Sequence, residues 1–466
     1  MTSYTKEELL RLLVDMITHH STIRDMGVVL STGLDVNMSY KKGLRPLHYA
    51  AFEDYKDCVC YLIDEAGADV DVADDVGYTA LHVASKHGHH ASLVALLDRG
   101  ACVDFDGPAG SAASRALSEL TINPLSLAIE NNQVNCQVAL LKRGANPNRK
   151  YFLGHEINMV PIEYVQCLDA LLEYGADPDV FSRGGLTPLM RACKCKNMAA
   201  VRVLLSHGAS VNIQCPPRFD QKTALHFAAS AGDPDIVNAI MDAGAATCRP
   251  PDFDHSPLEL ALVGDKVEVV RVLLDRGADA NETNDDRCSA LQVAVSTLGL
   301  DHQRGMIESL LQHGADPNHH SCYFSYVGPS LAAIVEYFCY TDEYDISLVR
   351  LLLAYGSKVN MTRPTKLLKI RDPFGILGQV RKLRPYEDIL DVLVESTQSF
   401  DTEAIRNESS LSNKQKEVLI AAGSVPRDLR HLVRLAIRDS LTLPIVPKID
   451  KLPLPDFLKS YLLFKI

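Results

Sequence analysis

The chain is 466 residues long, 47% hydrophobic and 23% charged, with no tryptophan. This balance is that of a folded protein, and the length is too great for one ordinary core. A formal net charge of −12 argues against nucleic acid as a partner, because phosphate binding needs a basic surface, and no run of 18 or more apolar residues predicts a membrane span.

The first predicted element is a helix. Thr5 and Glu8 read as a T-x-x-E capping box ahead of apolar residues at helical spacing. Lys6, Glu7, Glu8 and Asp15 interrupt the apolar run that a secretion signal would require, and the twelve cysteines include no C-x-x-C pair. Reduced thiols used as small core residues in an intracellular, cytoplasmic protein are therefore expected, with the nucleus left open. The stretch 5–36 reads as a helical cap at the N-terminal end of the fold.

From there one phrase recurs: an apolar Leu-Leu pair, a few polar residues, Gly-Ala-Asp, and a tail ending in Asn. Its glycines are Gly67, Gly100, Gly144, Gly175, Gly208, Gly244, Gly277, Gly314 and Gly356, with a looser copy at Gly33, at spacings of 31 to 44 residues centred on 33. A second phrase keeps a fixed phase with the first. It reads RPLHYA at Arg45–Ala50, TALHVA at Thr79–Ala84, TPLMRA at Thr187–Ala192 and TALHFA at Thr223–Ala228, with weaker forms at Ser256–Ala261 and Ser289–Ala294. Thr or Ser caps the free N–H groups of a new helix, and Pro is tolerated in its first turn. Gly after the second helix takes the left-handed conformation that ends it. Phrase and period resemble ankyrin repeats over roughly Glu8–Asn360. The resemblance implies about ten helix-turn-helix units stacked into an all-α solenoid over 1–361, because one unit alone cannot bury its faces.

The departures from the pattern are specific. GPAGSAAS at Gly107–Ser114 reads as a flexible loop, and the unit around Val160–Gly175 lacks the helix-opening phrase and should be short or distorted. The last unit carries an insert with YFSY and YFCY. HGHH at His87–His90 reads as the turn between two helices, and Cys58-x-Cys60 and Cys193-x-Cys195 each lack the second pair a zinc site needs. His48, His82 and His226 belong to the repeat phrase and are expected to bond turn backbone. Neither catalytic residues, nor a cofactor, nor a metal is predicted. The solenoid instead offers a concave face to a protein target, lined by Lys86, His87, Glu130, Asn131, Lys194, Lys196 and Asp233.

After the array, 362–423 reads as helical connecting segments, including Tyr386–Ser396 and Asn413–Gly423. Asp428 then caps a helix in which Leu429, Leu432, Val433, Ala436 and Ile437 fall on one apolar stripe. Arg430, His431, Arg434 and Arg438 hold the other face. Pro444 and Pro447 are expected to break the chain before LPLP at Leu452–Pro455, and LPLPDFLKSYLLF closes on an apolar segment.

This tail, over 424–466, resembles a SOCS box of three short helices, and the whole chain resembles the ankyrin repeat and SOCS box family. The resemblance assigns 428–437 to the BC box, with Leu429, Leu432, Val433 and Ile437 contacting Elongin C. It assigns Leu452, Pro453, Leu454 and Pro455 to the cullin box, of the cullin-5 type. Asp428 stands where the family has Ser or Thr, and Val433 where it has Cys. Elongin B, Elongin C and cullin-5 with its RING subunit are the implied partners, and target ubiquitination and degradation the implied outcome. An ankyrin scaffold that recruits no ligase is the alternative reading.

Overall fold

The structure is a computed structural model and describes residues 5–104, 123–151, 154–250, 253, 255–285, 287–297, 299–319, 330–337, 345–362, 375–380, 387–424, 429–441 and 445–464. The loop at Gly107–Ser114 and the YFSY insert lie outside these residues. The chain divides into two compact units, Met1–Phe219 and Asp220–Ile466.

Among the described residues of the first unit, six helical pairs follow one another. They begin at Lys6–Thr18 with Ile23–Leu30 and end at Pro188–Lys194 with Met198–Ser206. Thr5 opens the first helix as a full capping box: its hydroxyl accepts from the Glu8 N–H at 3.2 Å, and the Glu8 carboxylate accepts from the Thr5 N–H at 2.8 Å. The second unit holds four further pairs, from Ala224–Ala231 with Pro234–Asp242 to Ser330–Tyr337 with Ile346–Ala354. The leucine of each repeat phrase, from Leu47 through Leu81, Leu189 and Leu225 to Leu291, is fully buried, and the following alanines let neighbouring helices approach. All ten repeat-closing glycines have positive φ, from +72° at Gly67 to +106° at Gly356, where a side chain would be strained.

The Asn that ends the phrase has a stitching role. Asn148 Nδ2 donates to the Gly175 carbonyl at 2.8 Å while its Oδ1 accepts from the Asp177 N–H at 2.8 Å. Asn37, Asn281 and Asn318 repeat the pattern one unit forward each time. One side-chain amide thus satisfies a donor and an acceptor of the next turn, which explains why Asn occurs there.

The pair around Val160 is distorted, as its sequence predicts. Its first helix, Glu156–Met159, has a single turn and follows an antiparallel strand pair, Lys150–Tyr151 with Gly154–His155. Arg191 from the next helix bonds the carbonyls of Asn158 and Val160, satisfying backbone that a longer helix would have paired. A second short ladder, parallel, joins Asn360–Met361 to Ser399–Phe400. Among the described residues these two ladders depart from an all-helical reading; segments of two residues carry no alternation that a sequence could reveal. NPLSLA at Asn123–Ala128 is a repeat phrase in disguise: the Asn123 side chain caps Pro124–Glu130 by accepting from the Ser126 N–H at 2.7 Å. The connecting region carries helices Glu387–Ser396, Thr402–Asn407 and Asn413–Ser424.

Candidate functional site

The helix Leu429–Ser440 is strongly two-sided, and its orientation opposes a simple hydrophobic-in reading. Leu429 is 74% exposed, Leu432 50% and Val433 46%; Ala436 is exposed and Ile437 half-buried. Arg434 and Arg438, on the face that the sequence marks as polar, are buried instead. Asp428, and with it the expected helix cap, lies outside the described residues.

Specific partners explain how two arginines can be buried. Arg438 donates to the Leu462 carbonyl at 2.7 Å and to the Leu353 carbonyl. Leu353 lies in the last turn of Ile346–Ala354, and Leu462 ends the helix Asp456–Leu462, so one guanidinium serves two helix C-termini. The Arg434 guanidinium lies 3.6 Å from the Tyr461 ring centroid and 4.4 Å from that of Phe464, and Arg438 lies 4.7 Å from Phe464. Burial, with the Arg434 charge beside it, pushes the Arg438 guanidinium down to about 10, still cationic at neutral pH.

The remaining tail divides in two. Leu462, Leu463 and Phe464 are buried within their own unit, so the last apolar residues of LPLPDFLKSYLLF belong to the fold. Phe457 and Leu458 are exposed, one residue past LPLP. Leu452 and Leu454 are half-buried, Pro453 and Pro455 exposed, and Pro455 occupies the N-cap of Asp456–Leu462. Pro447 does not break the chain as expected. It sits in the first turn of Ile445–Asp450, where the missing N–H would have had no helical partner. Sequence reasoning did not single out Phe457 and Leu458; their place just past the proline run is the signal that would have found them.

Family models for ankyrin repeats match residues 19–106, 158–250 and 253–285, and the model for the SOCS box matches 425–463. The chain combines ankyrin repeats with a SOCS box. Among its relatives, Ankyrin repeat and SOCS box protein 6 of Homo sapiens is 28% identical over 364 residues, covering 64% of this chain and 85% of that protein. Ankyrin repeat and SOCS box protein 16 of Homo sapiens is 25% identical over 361 residues, covering 74% of each chain. The crystal structure of the ankyrin repeat domain of Bcl-3 aligns with a TM-score of 0.41 at 20% identity, over 49% of this chain and 97% of that one, a likeness too low to carry an argument.

On the ankyrin side, Lys86, His87, Glu130, Asn131, Lys194 and Lys196 are exposed at or just past the ends of the first helices of their repeats. His87 packs edge-on against Phe52 at 4.9 Å, and a cleft of about 370 Å³ beside it is lined by Tyr49, Phe52, Tyr78, Val83 and Lys86. Partial burial and the neighbouring His89 and Lys86 push the His87 imidazole below its ordinary value. The Asn131 side chain bonds back to the Leu127 carbonyl at 2.8 Å, and Lys196 has left-handed backbone in the turn between its helices. Asp233 stands apart. It is half-buried, and its carboxylate caps Pro234–Asp242, accepting from the Asp235 and Ile236 N–H groups at 3.0 and 3.2 Å. Its carboxylate therefore has a structural role in the fold. His89 Nδ1 bonds the Ala51 carbonyl at 2.9 Å, which makes the HGHH segment turn structure.

Proposed function

We propose that this chain is the target-binding, non-catalytic subunit of a cullin-5 RING ubiquitin ligase, acting inside the cell. The ankyrin repeats hold a target protein, and the SOCS box binds Elongin C, with Elongin B, and cullin-5 with its RING subunit. A charged ubiquitin-conjugating enzyme is then held beside target lysines, raising the effective concentration of one reactant near the other, and the modified target is degraded.

The observation that carries this reading is the outward apolar face of Leu429, Leu432 and Val433. Each such side chain contributes about 1.5–3 kcal/mol when fully buried, so three large exposed ones on one helix face are worth more against a partner than in water. Val433 keeps the apolar character and approximate volume of the Cys it replaces, so a socket for Cys accepts it. Half-buried Leu452 and Leu454 with exposed Pro453 and Pro455 give cullin-5 a rigid, separate contact.

Affinity purification of the full chain from cells tests the proposal. Wild type should recover Elongin B, Elongin C and cullin-5. Leu429→Asp should lose all three, since it carries a charge into the socket, while circular dichroism stays unchanged because Leu429 touches little of its own fold. A wild-type chain that recovers repeat-bound clients but no Elongin would instead identify a scaffold without ligase recruitment.

A further inference from the structure

Arg438 joins three elements at one point: its own helix, the final turn of the last ankyrin helix through the Leu353 carbonyl, and the last SOCS-box helix through the Leu462 carbonyl. Around this point the joint is not filled. A cleft of about 420 Å³ separates the repeat turns, at Asn318, Gly356 and Ser357, from the tail residues Leu435, Leu441 and Ile445. Another polar tether here is exposed: Asp439 accepts from Gln398 at 3.2 Å and lies 3.9 Å from the Lys358 ammonium. Exposed pairs of this kind hold little. With a cleft beside it, the joint draws stiffness from the buried Arg438 guanidinium, which bonds a carbonyl on each side. The planar guanidinium suits the place, because its fork reaches two carbonyls while its face stacks on Phe464.

We propose that Arg438 is a positioning residue that fixes the angle between the last ankyrin repeat and the SOCS box, and so the direction in which a bound target is presented to the ligase. The second half rests on the function proposed above; the first does not. Arg438 lies opposite Leu429 and Val433 on the helix, so losing it leaves the docking face chemically intact.

The test uses the full chain with spin labels on unnatural residues at Arg350 and Ala436, both exposed. Pulsed electron resonance in the wild type should give one narrow distance distribution. R438M, which fills the volume but donates nothing, should give a wider distribution, while the unlabelled R438M chain binds purified Elongin B/C with an affinity within about threefold of wild type, well under the tenfold that 1.4 kcal/mol would represent. R438K keeps the charge without the fork and should widen the distribution partially, which also serves if R438M does not fold. An unchanged distribution in either variant, or loss of Elongin binding by R438M, overturns the proposal. Failure of the wild type to bind Elongin B/C would instead sink the ligase reading and leave the distance result standing.

Discussion

His82 is held by contacts that only a neutral imidazole keeps. Its Nδ1 accepts from the Thr79 N–H at 3.1 Å and lies 2.8 Å from the Thr79 hydroxyl, and the ring is buried. His226 repeats this with Thr223, and its Nε2 donates to the His255 carbonyl at 3.2 Å. Burial pushes both imidazoles down to about 4. Between pH 6.5 and about 4 the unfolded chain therefore binds protons that the folded one refuses, so stability is full above pH 6.5 and falls as pH drops toward 4. Each histidine accounts for up to about 3 kcal/mol, as an upper bound. The substitute is already present in the chain: Gln292 Oε1 accepts from the Ser289 N–H at 3.2 Å and its Nε2 donates to the His319 carbonyl at 2.8 Å. H82Q/H226Q should flatten the loss across this window, measured as urea midpoints at stepped pH; an unchanged slope would mean other groups dominate.

Two elements separate what periodicity can reveal from what it cannot. The stripe Leu429, Leu432, Val433, Ala436 and Ile437 was legible as one helix face from spacing alone. Spacing is silent on which face meets the rest of the chain. The arginine face turned inward because two helix C-termini and two aromatic rings converge there, all brought by distant residues. Asp233 adds a second case: its place just past the first helix of a repeat does not reveal that its carboxylate caps the helix that follows. D233A should lower stability by about 1 kcal/mol through the lost cap, read as a lower urea midpoint with an unchanged slope. A variant as stable as wild type would show the cap to be redundant.

Across the whole molecule, repeats interact with their neighbours, so damage at one end should stay near that end. The SOCS box meets the last repeat where Arg438 bonds the Leu353 carbonyl. Deleting 424–466 should therefore speed amide hydrogen exchange in Ile346–Ala354 while leaving helices such as Ala80–His87 and Met198–Ser206 in the other compact unit unchanged. Uniform acceleration over the chain would indicate one cooperative block instead.

Period, caps, closing glycines and the LPLP run are local, because each is set by interactions within a few residues or between adjacent copies. The sequence by itself therefore determined the ankyrin array, its distorted unit at Val160 and the helical SOCS box. Burial is decided by non-local partners, so only the tertiary structure put Arg434 and Arg438 inside, left Leu429 and Phe457 outside, folded Leu462 to Phe464 back onto their own unit, and gave the Asp233 carboxylate to a helix end.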